Sequence, residues 1–221
     1  MYTLFIKRTL DIILTFLFLI VLLPILIPIC LFLLFTGEHQ IIYFQKRIGK
    51  GLNPFFIWKF TTMLKNSENM GHGLLTVRKD PRVLPFGKFL RKTKINEIPQ
   101  LINILIGDMS IVGPRPLIYN PYFNGVGEQV YNSRPGLTGI GSIVFGDEEY
   151  LLSKTTMDKK EFYDNQISPY KGELELWYLK NLSFYTDFML IFLTILIILR
   201  PKSNLIYRIF KDLPKKPKSL K

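Results

Sequence analysis

The feature that most limits how this chain can fold is an apolar run near its start, Ile12 to Thr36, "IILTFLFLIVLLPILIPICLFLLFT". Its roughly 25 uncharged residues are enough to cross a hydrocarbon core of ~30 Å as one helix. Pro24 and Pro28 fall near the middle, where each removes a backbone donor and favours a bend. Lys7 and Arg8 precede the run and Lys46, Arg47 and Lys50 follow it, so the positive-inside rule gives neither end alone to the cytoplasm. On these residues a spanning helix and a re-entrant, monotopic one stand level. A secretory signal fits less well, because the run exceeds an h-region and no small-residue cleavage site follows it.

Composition narrows the partners. The chain has 221 residues, 29 Lys and Arg against 17 Asp and Glu, and a formal charge of +12. Its mean hydropathy is +0.20. Strong positive charge with high hydropathy favours an anionic membrane surface. Nucleic acid is disfavoured as a partner, since Phe55, Phe56 and Trp58 lie in apolar β-rich runs suited to core packing. Cys30 is the single cysteine and lies in the apolar run, which leaves no intrachain disulfide or cysteine-based zinc site.

Two β-rich runs, Ile41–Gln45 and Phe55–Phe60, flank a Gly/Asn/Pro turn and predict a hairpin. "NSENMGHGLLTVRKDPR" reads as a loop in which His72 is a solvated residue, and "VLPFGKFLRKTK" as a basic, aromatic-bearing helix or turn. In "SFYTDFMLIFLTILIILRP", Ser183 is a plausible cap, Asp187 lies in the opening turn, Arg200 in the last, and Pro201 is the stop. The charge-free part of that segment is too short to span and predicts a buried or interfacial helix. The ending "KDLPKKPKSLK" is basic and Pro-rich and is expected to be disordered.

The chemistry concentrates in "KINEIPQLINILIGDMSIVGPRP". Asn96 is a favoured N-cap, Glu97 suits the positive first turn, and Pro99 is tolerated there, predicting a helix from about Glu97 to Ile106 closed by Gly107. The plain reading gives both residues capping roles. The functional one treats the helix start as an anion site, with Arg115 and Arg134 held in proline-bounded turns to face phosphate. "GKGLNP" is no Walker loop, and "GLTGIGSIVFG" does not fit the dinucleotide fingerprint.

At these residues the chain resembles the bacterial sugar transferases known as monotopic polyprenyl-phosphate phosphoglycosyl transferases. The likeness is carried by "KRTLD", "FQKRIG", "WKFTTM", the long block from Asp80 to Pro116, "RPGLTG" and "LWYLKNLSF". The resemblance implies an α+β, mainly helical fold: a proline-broken re-entrant membrane helix over 1–38, a small domain over 39–201 at the cytoplasmic face of the inner membrane, with a β-hairpin and interfacial helices, and a basic tail over 202–221. It implies transfer of a sugar phosphate from a UDP-sugar to polyprenyl (undecaprenyl) phosphate, with release of UMP and use of Mg²⁺. The other implied partners are membrane lipids and the glycosyltransferases that act next. Carried over by position, Glu97 and Asn96 would be catalytic and metal-binding, and Lys59, Arg115, Arg134 and Asp108 would serve the phosphates, with a turn-capping role after Gly107 equally open for Asp108. Arg82 and Arg91 would face phosphate or lipid headgroups.

Three departures matter. The family's nucleophilic Asp is here Asn96, whose delocalised, uncharged amide is no nucleophile. Glu97 as nucleophile, direct reaction of the two substrates, and a catalytically weak scaffold in the same pathway therefore all remain open. Asp147 stands near an expected Arg, and Glu175 stands at an expected Asp, so the sugar pocket is expected to be unusual.

Overall fold

The computed structural model describes residues 2–70, 76, 79–117, 126–199 and 205–220; His72, Arg200 and Pro201 lie outside them. A π-helical turn, Tyr2–Ile6, leads into α1, Lys7–Phe35, which stays helical through Pro24 and Pro28. α1 is long and apolar enough to cross a membrane. β1 (Ile42–Ile48) and β2 (Pro54–Phe60) form the expected antiparallel hairpin, registered Ile42 to Phe60 and Ile48 to Pro54.

α2 (Pro85–Lys92) begins on a proline, where no helical N–H is lost, and ends on Arg91 and Lys92, which suit its negative end. A 3₁₀ turn, Ile95–Glu97, follows, and α3 spans Gln100–Ile106. The helix expected from Glu97 thus starts three residues later. Asn96 makes no cap hydrogen bond, because the chain enters the turn through Lys94 at a left-handed φ of 61° and Pro99 occupies the N-cap of α3. Gly107 closes α3 as expected, at φ 103°, a conformation that costs a β-carbon-free residue little.

β3 (Ser110–Val112) pairs in parallel with β4 (Gly136–Thr138), and α4 (Val126–Tyr131) lies between them in sequence. Short helices α5 (Ile140–Val144), α6 (Glu148–Lys154) and α7 (Lys159–Phe162) follow. A π-helical turn then feeds α8 (Ser168–Lys180). α9 is Phe184–Leu199, and its Thr186 N–H donates to Ser183 Oγ at 3.2 Å, the expected cap. The main core joins Ile104, Met109, Ile140, Ile167, Leu174 and Leu190.

The ending is not disordered through 220. α10 (Leu205–Ile209) and the segment after it bury Ile206, Phe210, Leu213 and Leu220 in the main core. Trp177 Nε1 donates to Asp212 at 2.9 Å, and the Tyr170 hydroxyl to the Pro214 carbonyl at 2.6 Å. Lysines and prolines mask four apolar side chains there, each able to contribute roughly 1.5–3 kcal/mol when buried.

"KRTLD" anchors α1 to the domain. Lys7 pairs with Asp187 at 2.6 Å, and Arg8 donates to the Ile104 and Leu105 carbonyls at the end of α3. Asp11, buried within an apolar helix, accepts from Ser110 Oγ at 2.7 Å and Ile111 N–H at 3.1 Å. Lys7 and Arg8 thus serve protein contacts. At the other end of α1, Ile29 and Leu33 pack with Phe60 and Leu90 in a second core.

Candidate active site

Glu97 projects from the 3₁₀ turn into a cleft of about 1610 Å³. Lys59, second from the end of β2, places Nζ 4.0 Å from Glu97 Oε1, and Arg115 places Nη2 3.9 Å from the same oxygen. Both separations exceed a hydrogen bond, so the ions attract without being tied together. Arg115 Nη1 also reaches Ser142 Oγ at 3.3 Å.

Arg47 adds a cation that the sequence reading counted only among the charges following the apolar run. It is held by the Pro116 carbonyl at 3.2 Å and by the Gln45 side chain, and its Nε has no hydrogen-bond partner. Burial and then repulsion from Arg115 lower its pKa to about 10. Arg47 pairs with Phe55, which alternates onto the same hairpin face as Lys59, and that periodicity was the available signal.

The electrostatics favour an anion. Burial alone would raise the Glu97 pKa, but Lys59, Arg115, Lys94 and Arg91 outweigh it and hold the carboxyl at about 2, so Glu97 is ionised at neutral pH. Burial lowers Lys59 to about 7 against the attraction of Glu97, with Arg47, Arg115 and Arg91 adding to the depression. The cation surplus around one carboxylate leaves positive potential for phosphate oxygens.

Asn96 is 6% exposed, and its Oδ1 has no hydrogen-bond partner. A buried, unpaired amide oxygen costs about 1–3 kcal/mol, which a ligand would relieve. Asn96 and Glu97 both line the cleft, and an amide oxygen with a carboxylate is a donor chemistry that fits Mg²⁺ arriving with a diphosphate, since Mg²⁺ commonly takes one or two protein oxygens plus phosphate and water. Among the described residues no group of three His, Cys, Asp or Glu side chains could hold a metal by itself.

Asp108 and Arg134 are placed elsewhere. Arg134 Nε donates to the Gly107 carbonyl at 2.9 Å, and Asp108 Oδ2 accepts from Asn103 Nδ2 at 3.3 Å. Both therefore sit at the C-terminal end of α3, roughly 15 Å along the chain's helical path from Glu97. Arg82 lines the cleft but is bound to Asp80, with Nη2 to Oδ2 at 2.6 Å, and to the Ser67 and Met70 carbonyls. Arg91 lines the same cleft.

One wall of the cleft is apolar, with Phe18 and Leu22 from α1 and Ile191, Ile195 and Ile198 from α9. Outward-facing Phe16, Leu17, Ile20 and Val21 on α1 and Phe188 and Phe192 on α9 extend that apolar surface outside the cleft. A basic, carboxylate-bearing cleft therefore opens beside an exposed apolar surface.

Comparison with known proteins gives the family. The profile of the family described as bacterial sugar transferase matches residues 2–201. A UDP-glucose:undecaprenyl-phosphate glucose-1-phosphate transferase of Escherichia coli (strain K12) is 34% identical over 194 residues, covering 86% of this chain and 39% of the relative. A UDP-N-acetylgalactosamine-undecaprenyl-phosphate N-acetylgalactosaminephosphotransferase of Aeromonas hydrophila is 32% identical, covering 88% of this chain and 44% of the relative. The exopolysaccharide production protein ExoY of Sinorhizobium fredii is 31% identical, covering 86% and 83%. This chain thus spans less than half the length of the first two and most of the third. With a match over nearly its whole length and a basic, carboxylate-bearing cleft in the matched part, the chain belongs to the bacterial sugar transferase family.

Proposed function

We propose that the protein transfers a sugar phosphate from a UDP-sugar to polyprenyl phosphate, undecaprenyl phosphate by analogy with its relatives, and releases UMP. The observation that carries this is the Glu97 centre, an ionised carboxylate among Lys59, Arg115 and Arg47, opening beside the apolar wall of α1 and α9. An oxygen nucleophile forms a bond to the β-phosphorus, and the bridging bond to the α-phosphate breaks with its electron pair leaving on UMP. The cations offset the charge gathering on the transferring and leaving oxygens. Glu97 either takes the phosphosugar first or orients the lipid phosphate for direct attack. Glu97 and Asn96 Oδ1 would hold Mg²⁺, which when bound supplies further neutralisation of the diphosphate. Lys59 and Arg115 are the phosphate residues of this reading; Arg134 and Asp108 support the far end of α3.

The re-entrant topology belongs to the same proposal. Arg8 and Asp11 fix the start of α1 to α3 and β3, while Ile29 and Leu33 fix its later part to the hairpin and α2. A helix tied near both ends to one small domain is better served by dipping into one leaflet than by crossing. On this reading the domain over 39–201 lies at the cytoplasmic face of the inner membrane, and its lipid-linked product passes to further glycosyltransferases. A scaffold role is favoured by Asn96 alone.

The test is UMP release by the protein in nanodiscs, offered UDP-sugars and Mg²⁺ with and without undecaprenyl phosphate. Release that requires both substrates is expected. Absence of release across a broad donor panel, beside an active relative, would favour the scaffold.

A further inference from the structure

The cleft is also lined by Gly141, Ser142, Phe145, Glu148, Tyr163 and Lys171, a stretch of wall that Arg115 reaches through Ser142. Lys171 is almost wholly buried, its side chain 3% exposed, and pairs with Glu148, whose side chain is 27% exposed. The ammonium lies 5.2 Å from the Phe145 ring centre and 5.0 Å from that of Tyr163, and Nζ is 3.4 Å from the Tyr163 hydroxyl. Burying such a pair gains little stability over apolar packing, so its presence on a cleft wall needs another reason. Among the described residues Glu148 Oε1 makes no hydrogen bond, which leaves an acceptor beside a fixed ammonium donor.

We infer that this wall is the subsite for the sugar of the nucleotide donor, with Glu148 and Lys171 reading a hydroxyl of an uncharged pyranose; the inference rests on the transferase reading. A sugar hydroxyl both donates and accepts, so it matches a carboxylate oxygen next to an ammonium. A uronic acid does not match, because Glu148 already neutralises Lys171 and would repel a second carboxylate.

The sugar is assigned here, and not the uridine, by what surrounds each wall. The hairpin and α2 bring Arg47, Lys59, Lys88 and Arg91 to the same cleft, a basic surface suited to the departing UMP. The Glu148 wall adjoins α9: a β-carbon on Gly146 would lie 3.2 Å from Ile197, and the Thr138 hydroxyl is 2.6 Å from that of Thr194. The transferred half of the donor then lies on the side where the lipid acceptor enters. Arg115 joins the two regions, touching Ser142 on one flank and approaching Glu97 on the other.

The experiment compares wild type, Glu148→Gln and the double variant Glu148→Gln/Lys171→Met, which avoids a stranded buried ammonium, all in nanodiscs with undecaprenyl phosphate. The readouts are kcat/KM for UDP-hexoses differing at single hydroxyls, and inhibition by UMP. Both variants are expected to lose about tenfold or more with the preferred UDP-hexose and to discriminate poorly between epimers, with UMP inhibition unchanged. Retained epimer preference, with all donors and UMP weakened alike, would overturn the subsite and make the pair structural. If wild type turns over no donor and binds no UMP, the transferase reading fails and the subsite with it.

Discussion

Glu175 should make the fold lose stability as pH rises, and replacing it by Gln should remove that loss. It is 1% exposed, and its Oε2 has no hydrogen-bond partner. The backbone N–H groups of Arg115 and Gly141 face its carboxyl, yet burial prevails and pushes the pKa from 4.5 to about 8. Gly141 permits this approach, since a β-carbon there would lie 2.6 Å from Glu175 Oε1. The folded chain therefore keeps the proton through a range where the unfolded chain has lost it. With fewer protons bound when unfolded, stability is fullest below about pH 4.5 and declines until about pH 8, where both states are ionised. At 1.36 kcal/mol per pH unit the full decline is on the order of 5 kcal/mol. The Gln amide keeps a neutral acceptor but brings an N–H₂ that must find a partner, which offsets about 1–3 kcal/mol. Thermal unfolding of wild type and Glu175→Gln in the same detergent, from pH 5 to pH 8, isolates this group because other titrations are shared. The expected result is a variant whose Tm relative to wild type rises by roughly 5–15 °C across that range. Parallel Tm curves would refute the reasoning.

Lys59, with a pKa of about 7, loses charge as pH rises through neutrality, so kcat/KM is expected to fall on that limb; Lys59→Arg should move the fall to higher pH, and a pH–rate profile checks it. Asn96→Asp puts a carboxylate where a buried amide oxygen now lacks a partner, and a larger lipid-independent burst of UMP than in wild type is expected in quenched-flow measurements. An unchanged burst would show that residue 96 is not aligned for attack. Deleting 205–220 uncovers Trp177 and Tyr170 and removes Phe210, Leu213 and Leu220 from the core, so a Tm fall beyond about 10 °C is expected in the same melts.

Much of this was legible wherever a local rule acts alone. The hairpin showed as two β-rich runs around a Gly-containing turn, and the α9 cap as Ser183 three residues before Thr186. Gly107 ended α3 as its φ of 103° requires. The start of α3 was misread because Asn96, Glu97 and Pro99 satisfy the helix-start pattern, while Lys94 in a left-handed conformation diverts the chain into a 3₁₀ turn first. Composition misdirected the reading of the ending, where apolar residues spaced among lysines find a core that only the tertiary structure supplies. Within the site, Glu97, Lys59 and Arg115 were found and are brought together. Arg134 carried the same proline-bounded signature as Arg115, yet it holds a helix-end carbonyl, a distinction that depends on where β4 lies. Lys171 and Glu148 were missed because they are 23 residues apart and meet only in the tertiary structure.

The claim on which the rest depends is that Glu97 and its cations form the transfer centre. Its most direct test is steady-state UMP release by Glu97→Gln in nanodiscs, with UDP-sugar, Mg²⁺ and undecaprenyl phosphate, beside wild type of matching Tm and membrane association. The account predicts that wild type turns over and the variant falls by at least about 10³-fold, a range reached when an ionised group of a transfer centre is removed. A folded variant that keeps wild-type turnover would contradict it.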